Sequence, residues 1–202
     1  MNSFSLKASS AAIAVALSFA ATPAAASTTT TNSSAAVTTV DVSNQAPITA
    51  AEVQEAQRAW GDALVAISTE YERNGRAAAA RLAGQVLDSA YGYNLGNVLF
   101  KPTLTTNPQT FRPTREGALS YFVGGDRNFA SDSGFALKGW RSVNVDTRKI
   151  FLSGATAMSM GKVSMTDAKG KVTTVDKTWG YVRGPDGKLR IVLHHSSLPY
   201  SG

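Results

Sequence analysis

The chain has 202 residues, no cysteine and a formal net charge of +6 at pH 7. A chain of this length buries a core without disulfides, and the lack of cysteine excludes thiolate nucleophiles and thiolate metal sites. The 20 basic residues are dispersed among 14 acidic ones. No basic run or helical stripe stands out, so the composition gives no support for nucleic-acid binding.

The N-terminus has the pattern of an export signal. Lys7 precedes the apolar run 11–17, which is too short to span a bilayer, and the small-residue segment 23–27 follows. We therefore expect cleavage after Ala26, which gives a periplasmic or secreted protein with no membrane contact after cleavage. An uncleaved N-terminal anchor is the alternative, but no stop-transfer segment follows to favour it.

The rest of the chain divides into a linker and one domain. Residues 27–48 have the small, polar composition of a flexible linker, and residues 49–202 form a single predicted domain. Thr49 and Glu52 have the spacing of a capping box. They predict the start of a long helix that runs to about Arg73.

Apolar residues behind this box recur at three- and four-residue steps, which predicts an amphipathic helix. The residues of this stripe are Val53, Ala56, Trp60, Leu64, Ile67 and Tyr71. Gly75 is the predicted stop, and an alanine-rich second helix follows over 76–90. A short strand is predicted at 98–100, and Pro102 makes it an edge strand because proline cannot donate to a ladder. A short helix over 116–123 comes next.

From residue 137 onward the apolar period becomes two, which predicts strands. The four predicted strands lie near 138–148, 149–166, 171–184 and 188–197. Two helices, an edge strand, a short helix and an antiparallel meander together predict an α+β fold. In this fold a curved antiparallel sheet wraps around the long N-terminal helix as a cone, with a pocket at its open end.

Both histidines of the chain are adjacent on the last predicted strand. Successive side chains of a strand face opposite sides, so Val192, His194 and Ser196 share one face while His195 and Ser197 share the other. A catalytic zinc usually takes three converging protein ligands. Because at most one histidine faces a given pocket, the pattern favours a metal-free site, with zinc or manganese as the alternative. A buried structural histidine is the competing interpretation of His194.

Several segments resemble the iota-class carbonic anhydrases. These segments are 91–93, 98–103, 111–114, 117–125 and 194–197. That family belongs to the nuclear transport factor 2-like superfamily and is related to the association domain of calcium/calmodulin-dependent kinase II. The resemblance covers roughly residues 50–200. The family's terminal motif has three histidines and two serines, and Leu193 occupies the first of those places here, so the resemblance does not imply a three-histidine site.

The resemblance implies reversible hydration of carbon dioxide to bicarbonate, in a pocket formed by Thr103, Tyr121, His194 and Ser196. Some members of the family are metal-free, and others depend on zinc or manganese. We expect the three hydroxyls to bind water and bicarbonate and His194 to orient the water or carry its proton, since imidazole titrates near neutral pH. The candidates for an apolar, substrate-binding wall are Phe100, Phe122 and Val192.

Two other functions remain open at the level of the sequence. The same fold serves as a non-catalytic ligand-binding or oligomerisation module, because a fold does not fix a function. An isomerase or hydrolase is the second, and it requires an acid such as Asp88 to face the cavity with a raised pKa. By analogy with related cone-shaped domains, we expect a homodimer that forms through the outer face of the sheet.

Overall fold

The computed structural model describes residues 37–202, so the predicted signal peptide over 1–26 lies outside the described part of the chain. The main elements are α1 (Ala50–Ala90), β1 (Leu99–Lys101), α2 (Arg115–Val123), β2 (Trp140–Ser153), β3 (Thr156–Asp167), β4 (Val172–Arg183) and β5 (Leu189–Ser197). Within residues 37–202, neither helix has an apolar stretch long enough to cross a membrane.

Helix α1 begins at the predicted capping box. The Thr49 hydroxyl accepts from the Glu52 backbone N–H at 3.3 Å, and the Glu52 carboxylate accepts from the Thr49 N–H at 2.8 Å. The backbone breaks at Gly75, whose φ of 77° lies in the region that favours glycine. The two predicted helices are therefore the two halves of α1, separated at the predicted residue.

The sheet contains five strands in the order β1-β5-β4-β3-β2. Strands β2 to β5 form an antiparallel meander, whereas β1 pairs with β5 in parallel at the edge. The α+β class and the edge position of the first strand are as predicted, and the sheet is mixed rather than wholly antiparallel. The connection from β1 to β5 runs through α2 and three strands, and a connection of that length permits parallel pairing.

The boundary between β2 and β3 differs from the prediction. The pattern ended the first strand at 148, but β2 continues to Ser153, and Gly154 with a φ of 53° makes the turn. The physical reason is a bulge at Arg148, since Thr147 pairs with Gly161 and Lys149 pairs with Met160. A bulge shifts the alternation by one residue without ending the pairing, so the sequence pattern there looked like a strand end.

Helix α1 packs on the inner face of the sheet and forms the core with it. At the centre, the rings of Trp60 and Trp179 meet edge to face with centroids 5.7 Å apart. The last residues of the predicted linker also pack on this domain. The Arg183 guanidinium donates to the Ala46 and Pro47 carbonyls at 2.8 and 2.9 Å, which holds the chain where it enters α1.

Candidate active site

Strand β5 carries both predicted polar residues of the last strand on its inner face. His194 and Ser196 are 2% and 1% exposed, whereas His195 between them is exposed. In the antiparallel register His194 pairs with Trp179 and Ser196 pairs with Lys177. The two residues therefore face α1 and the core.

Val192 lies elsewhere, and the sequence-based placement of this residue is wrong. A bulge in β5 leaves Val192 as the extra residue, because Tyr181 pairs with Ile191 and Gly180 pairs with Leu193. The bulge brings Ile191, not Val192, into phase with the inner face. Val192 lines a groove of about 400 Å³ together with exposed residues of the outer face, so it is no part of the His194 surroundings.

Aromatic rings enclose His194. Phe100 of β1 stacks on the imidazole with centroids 4.4 Å apart, and the Trp60 ring stands edge-on at 5.6 Å. Burial holds the pKa of His194 well below 6.5. The expectation that this imidazole titrates near neutral pH is therefore wrong, and His194 is a neutral ring in this site.

A continuous chain of hydrogen bonds crosses the imidazole. The Trp60 indole Nε1 donates to Tyr91 Oη at 3.0 Å, and Tyr91 Oη lies 2.8 Å from His194 Nδ1. On the other side of the ring, His194 Nε2 lies 2.8 Å from Lys177 Nζ. Both ring nitrogens therefore have a protein partner.

Lys177 is a site residue that the sequence analysis missed. It is 4% exposed, its Nζ lies 4.6 Å from the Trp60 ring centroid, and burial lowers its pKa to about 7. The signal was present in the alternation of β4, where Lys177 falls in the inward phase between Val175 and Trp179. A charged residue in an apolar phase points to a special environment.

The predicted hydroxyl groups meet at the end of β5. The Thr103 hydroxyl donates to the Ser196 hydroxyl at 2.6 Å. Tyr121 of α2 is 5% exposed, and its ring lies edge-on to Phe100 at 5.7 Å. Burial raises the pKa of Tyr121, while hydrogen bonding around its hydroxyl, including Thr103, acts in the opposite direction. The structure thus brings Thr103, Tyr121, His194 and Ser196 into one cluster around Phe100.

Phe122 and Phe100 form an apolar surface next to this cluster. Their rings stack with centroids 5.9 Å apart, and both side chains are buried. The Lys101 ammonium lies at the edge and donates to the Ser196 carbonyl at 3.2 Å. Of the three predicted apolar residues, the structure places two beside the cluster.

Asp88 has no place in this cluster. Its side chain is 58% exposed and forms an ion pair with Arg115 at 2.5 Å. The hydrogen bond from Arg115 lowers the pKa of the Asp88 carboxyl. An isomerase or hydrolase that uses Asp88 as a buried base is therefore excluded.

The side chains present do not suit a bound zinc or manganese. Over residues 37–202, no three histidine or carboxylate side chains come close enough together to hold a metal ion. His194 has no ring nitrogen free for a ligand bond, because Tyr91 and Lys177 face the two nitrogens. The chemistry of this site rests on hydroxyl groups, a neutral imidazole and a buried amine.

The fold and the site together define an α+β domain with a buried polar cluster made of hydroxyls and imidazole. The chain belongs to the metal-independent carbonic anhydrase family, whose model matches residues 51–198. It therefore shares the family's activity, the hydration of carbon dioxide without a metal cofactor.

Two relatives, one from Nostoc sp. and one cyanobacterial, agree with this assignment. A metal-independent carbonic anhydrase from Nostoc sp. (strain PCC 7120) is 59% identical over 153 residues, which cover 76% of this chain and 75% of that protein. The crystal structure of a cyanobacterial iota-carbonic anhydrase complexed with bicarbonate matches with 55% identity and a TM-score of 0.77, covering 82% of this chain and all of that one. A more distant match, at 22% identity and a TM-score of 0.48, is described as a calcium/calmodulin dependent protein kinase II association domain from Xanthomonas campestris and covers 81% of this chain and 100% of that one.

Proposed function

We propose that this chain hydrates carbon dioxide reversibly at the cluster of Thr103, Tyr121, His194 and Ser196. The observation that carries the proposal is the 2.6 Å hydroxyl pair of Thr103 and Ser196, which lies beside a buried neutral imidazole. The cyanobacterial relative, at 55% identity, is complexed with bicarbonate. That complex supports bicarbonate as the ligand here.

The hydroxyl groups supply hydrogen bonds where negative charge develops. Water attacks the carbon of carbon dioxide and gives up one proton to the solvent, and negative charge builds on the oxygens that become bicarbonate. The Thr103 hydroxyl donates a hydrogen bond to the Ser196 oxygen. The Ser196 O–H is therefore free to donate a hydrogen bond to the ligand. The raised pKa of Tyr121 keeps its hydroxyl protonated, and this group is therefore a second donor.

The neutral His194 and the phenylalanines complete the proposed site. Because Tyr91 and Lys177 occupy both of its ring nitrogens, the neutral His194 serves as a fixed, uncharged wall of the site and does not bind the water directly. The stacked rings of Phe100 and Phe122 offer an apolar surface, and an apolar surface suits carbon dioxide, which has no charge. Val192 takes no part in this proposal.

Stopped-flow hydration assays test these roles. We expect Ser196→Ala and Tyr121→Phe each to lower kcat by about 100-fold, as the loss of one preorganised donor does in other enzymes. Ser197→Ala, a neighbouring serine in the opposite phase of the strand, is the matched control and should keep full activity. If both site variants are folded and fully active, the residue assignment is wrong.

A chelator assay tests the metal-free chemistry on the same sample. We expect hydration to continue at the same rate after chelation, with elemental analysis showing no stoichiometric zinc or manganese. Loss of activity on chelation and recovery with added metal would contradict the proposal. A purified protein with no hydration activity at all would favour the non-catalytic ligand-binding alternative.

The outer face of the sheet supports the proposed homodimer. Apolar side chains form a row across the strands, in which the exposed Phe151 pairs with the exposed Met158 and the exposed Leu99 pairs with the half-buried Leu193. Exposed apolar rows of this kind mark protein interfaces. We expect light scattering to give a dimer and Met158→Asp to give a monomer, whereas a monomeric wild type would contradict the proposal.

Export remains a proposal that rests on residues 1–26. The apolar run 11–17 followed by small residues supports a cleaved signal peptide. We expect the mature protein in the periplasmic or secreted fraction to begin at Ser27, as measured by mass spectrometry. An intact Met1 terminus in the cytoplasmic fraction would contradict this localisation.

A further inference from the structure

Lys177 is a buried basic residue that the proposed reaction does not yet use. Within residues 37–202 its Nζ forms no ion pair with a carboxylate, and its one side-chain hydrogen-bond partner is His194 Nε2 at 2.8 Å. An uncompensated charge in a protein interior is strongly destabilising, so such groups tend to be neutral. Lys177 is therefore expected to be a neutral amine in the folded protein.

We propose that Lys177 is a positioning residue whose neutral amine keeps the proton of His194 on Nε2 and leaves no buried positive charge beside the ring, and that turnover of the site depends on this neutral state. The inference rests on the proposed function, because it assigns a determinant of that same reaction. Lys177 acts through His194 and need not touch the substrate.

The direction of the hydrogen bonds around Tyr91 supports this assignment. The Trp60 indole N–H is only a donor, so it occupies a lone pair of Tyr91 Oη. The Tyr91 hydroxyl proton then has His194 Nδ1 as its acceptor at 2.8 Å. A neutral imidazole that accepts at Nδ1 carries its proton on Nε2. That N–H faces Lys177 Nζ, which accepts it only as an amine with a free lone pair.

Protonation of Lys177 reverses this chain. An ammonium has three donors and no acceptor, so it must donate to His194 Nε2. The imidazole then carries its single proton on Nδ1 and donates to Tyr91 Oη. In this exchange one proton enters from the solvent to form the ammonium, and the ring exchanges its proton at Nε2 for one at Nδ1. Tyr91 Oη then accepts from both Trp60 and His194, and its own proton turns away from the ring. The ring stays neutral in both states, as its depressed pKa requires.

The other titratable groups near the pair favour the neutral amine. Lys101 of β1 donates to the Ser196 carbonyl at 3.2 Å, and His195 of β5 is exposed on the opposite face. Tyr121 of α2 and Tyr91 at the end of α1 are held neutral because burial raises the pKa of each phenol. Burial lowers the pKa of Lys177 to about 7, which places the exchange between its two states near neutral pH.

Three variants separate the neutral from the charged state of residue 177. Lys177→Gln offers a carbonyl acceptor to Nε2–H and does not titrate, whereas Lys177→Arg is always charged and only donates. Lys162→Gln, an exposed lysine of β3, is the matched control. We expect wild-type kcat to fall about tenfold per pH unit below about pH 7. Lys177→Gln should be flat across that range, and Lys177→Arg should lose at least about tenfold at every pH.

A midpoint near pH 7 that persists in Lys177→Gln, or full activity in folded Lys177→Arg, would overturn the proposal. Because a buried arginine can prevent the Lys177→Arg variant from folding, ¹⁵N NMR provides a second measurement on protein that retains Lys177. The chain has two histidines, so His195→Gln leaves His194 as the one imidazole signal. We expect a neutral ring with the proton on Nε2 at high pH and on Nδ1 at low pH.

One unchanged tautomer across the titration, or an imidazolium signal that appears near the ordinary histidine pKa, would overturn the proposal. The NMR measurement does not depend on carbon dioxide. It therefore distinguishes failure of this inference from failure of the proposed function. A wild-type protein that shows the expected tautomer change but no hydration activity would overturn the proposed function and leave this inference intact.

Discussion

The buried amine of Lys177 predicts how the stability of the protein depends on pH. The ordinary pKa of 10.5 falls to about 7 in the folded protein because of burial. Between these two values the unfolded chain binds one more proton than the folded chain, so the free energy of unfolding rises with pH. Below about pH 7 both states are protonated, and the folded protein bears the full desolvation penalty.

Lys177→Met removes this titration and keeps an unbranched side chain of similar length. The difference in unfolding free energy, wild type minus Lys177→Met, should rise by about 1.4 kcal/mol per pH unit between about pH 7 and pH 10. Over three units this amounts to on the order of 4 kcal/mol. Urea unfolding of both proteins at a series of pH values measures this difference. Because the other titrating groups are the same in both proteins, their contributions cancel in the subtraction.

Lys162→Met is the control for this prediction. Lys162 is about half exposed and pairs with Asp176 on the protein surface. Its replacement should change the unfolding free energy by less than about 1 kcal/mol, with little dependence on pH. A wild-type curve parallel to that of Lys177→Met would show that Lys177 keeps its ordinary pKa, and the reasoning about a neutral amine would then be refuted.

Four further substitutions test ion pairs, a buried hydrogen bond and a turn of the fold. Asp132→Asn breaks an ion pair whose side chains are 0% and 2% exposed, whereas Asp88→Asn breaks one at 36% and 58%. In urea unfolding, Asp132→Asn should lower the free energy of unfolding by about 3–5 kcal/mol and Asp88→Asn by under about 1 kcal/mol. Equal losses in the two variants would contradict the argument that burial sets the cost. Tyr91→Phe leaves two buried polar atoms without partners and should lower stability by at least about 2 kcal/mol in a thermal melt. Gly154→Ala should cost about 1 kcal/mol because its φ of 53° is unfavourable for alanine, although nothing lies within 4 Å of the added carbon.

The sequence was sufficient for the parts of the fold that depend on local chemistry. The box of Thr49 and Glu52 located the start of α1, and Gly75 located its break. The inward orientation of His194 and Ser196 followed from alternation over three residues. Each of these features depends on residues within one turn or one strand segment.

Other features depended on pairing between distant segments, which alternation does not encode. The bulges at Arg148 and Val192 are defined by the partner strands, and each shifted the phase of the pattern. The enclosure of His194 also requires Trp60 from α1 and Phe100 from β1. For this reason the sequence predicted an imidazole that titrates near neutral pH, whereas the assembled core holds it neutral.

Burial also explains how the proposed site works with few charges. A bicarbonate anion enclosed by rings without a fixed cation is poorly stabilised, which favours release of the product. The half-buried Thr103 and the Lys101 ammonium at the edge offer the anion a more polar exit. Below neutral pH a protonated Lys177 would add a buried positive charge next to His194 and strengthen the binding of the anion. The neutral amine therefore suits both the orientation of His194 and the turnover of the site.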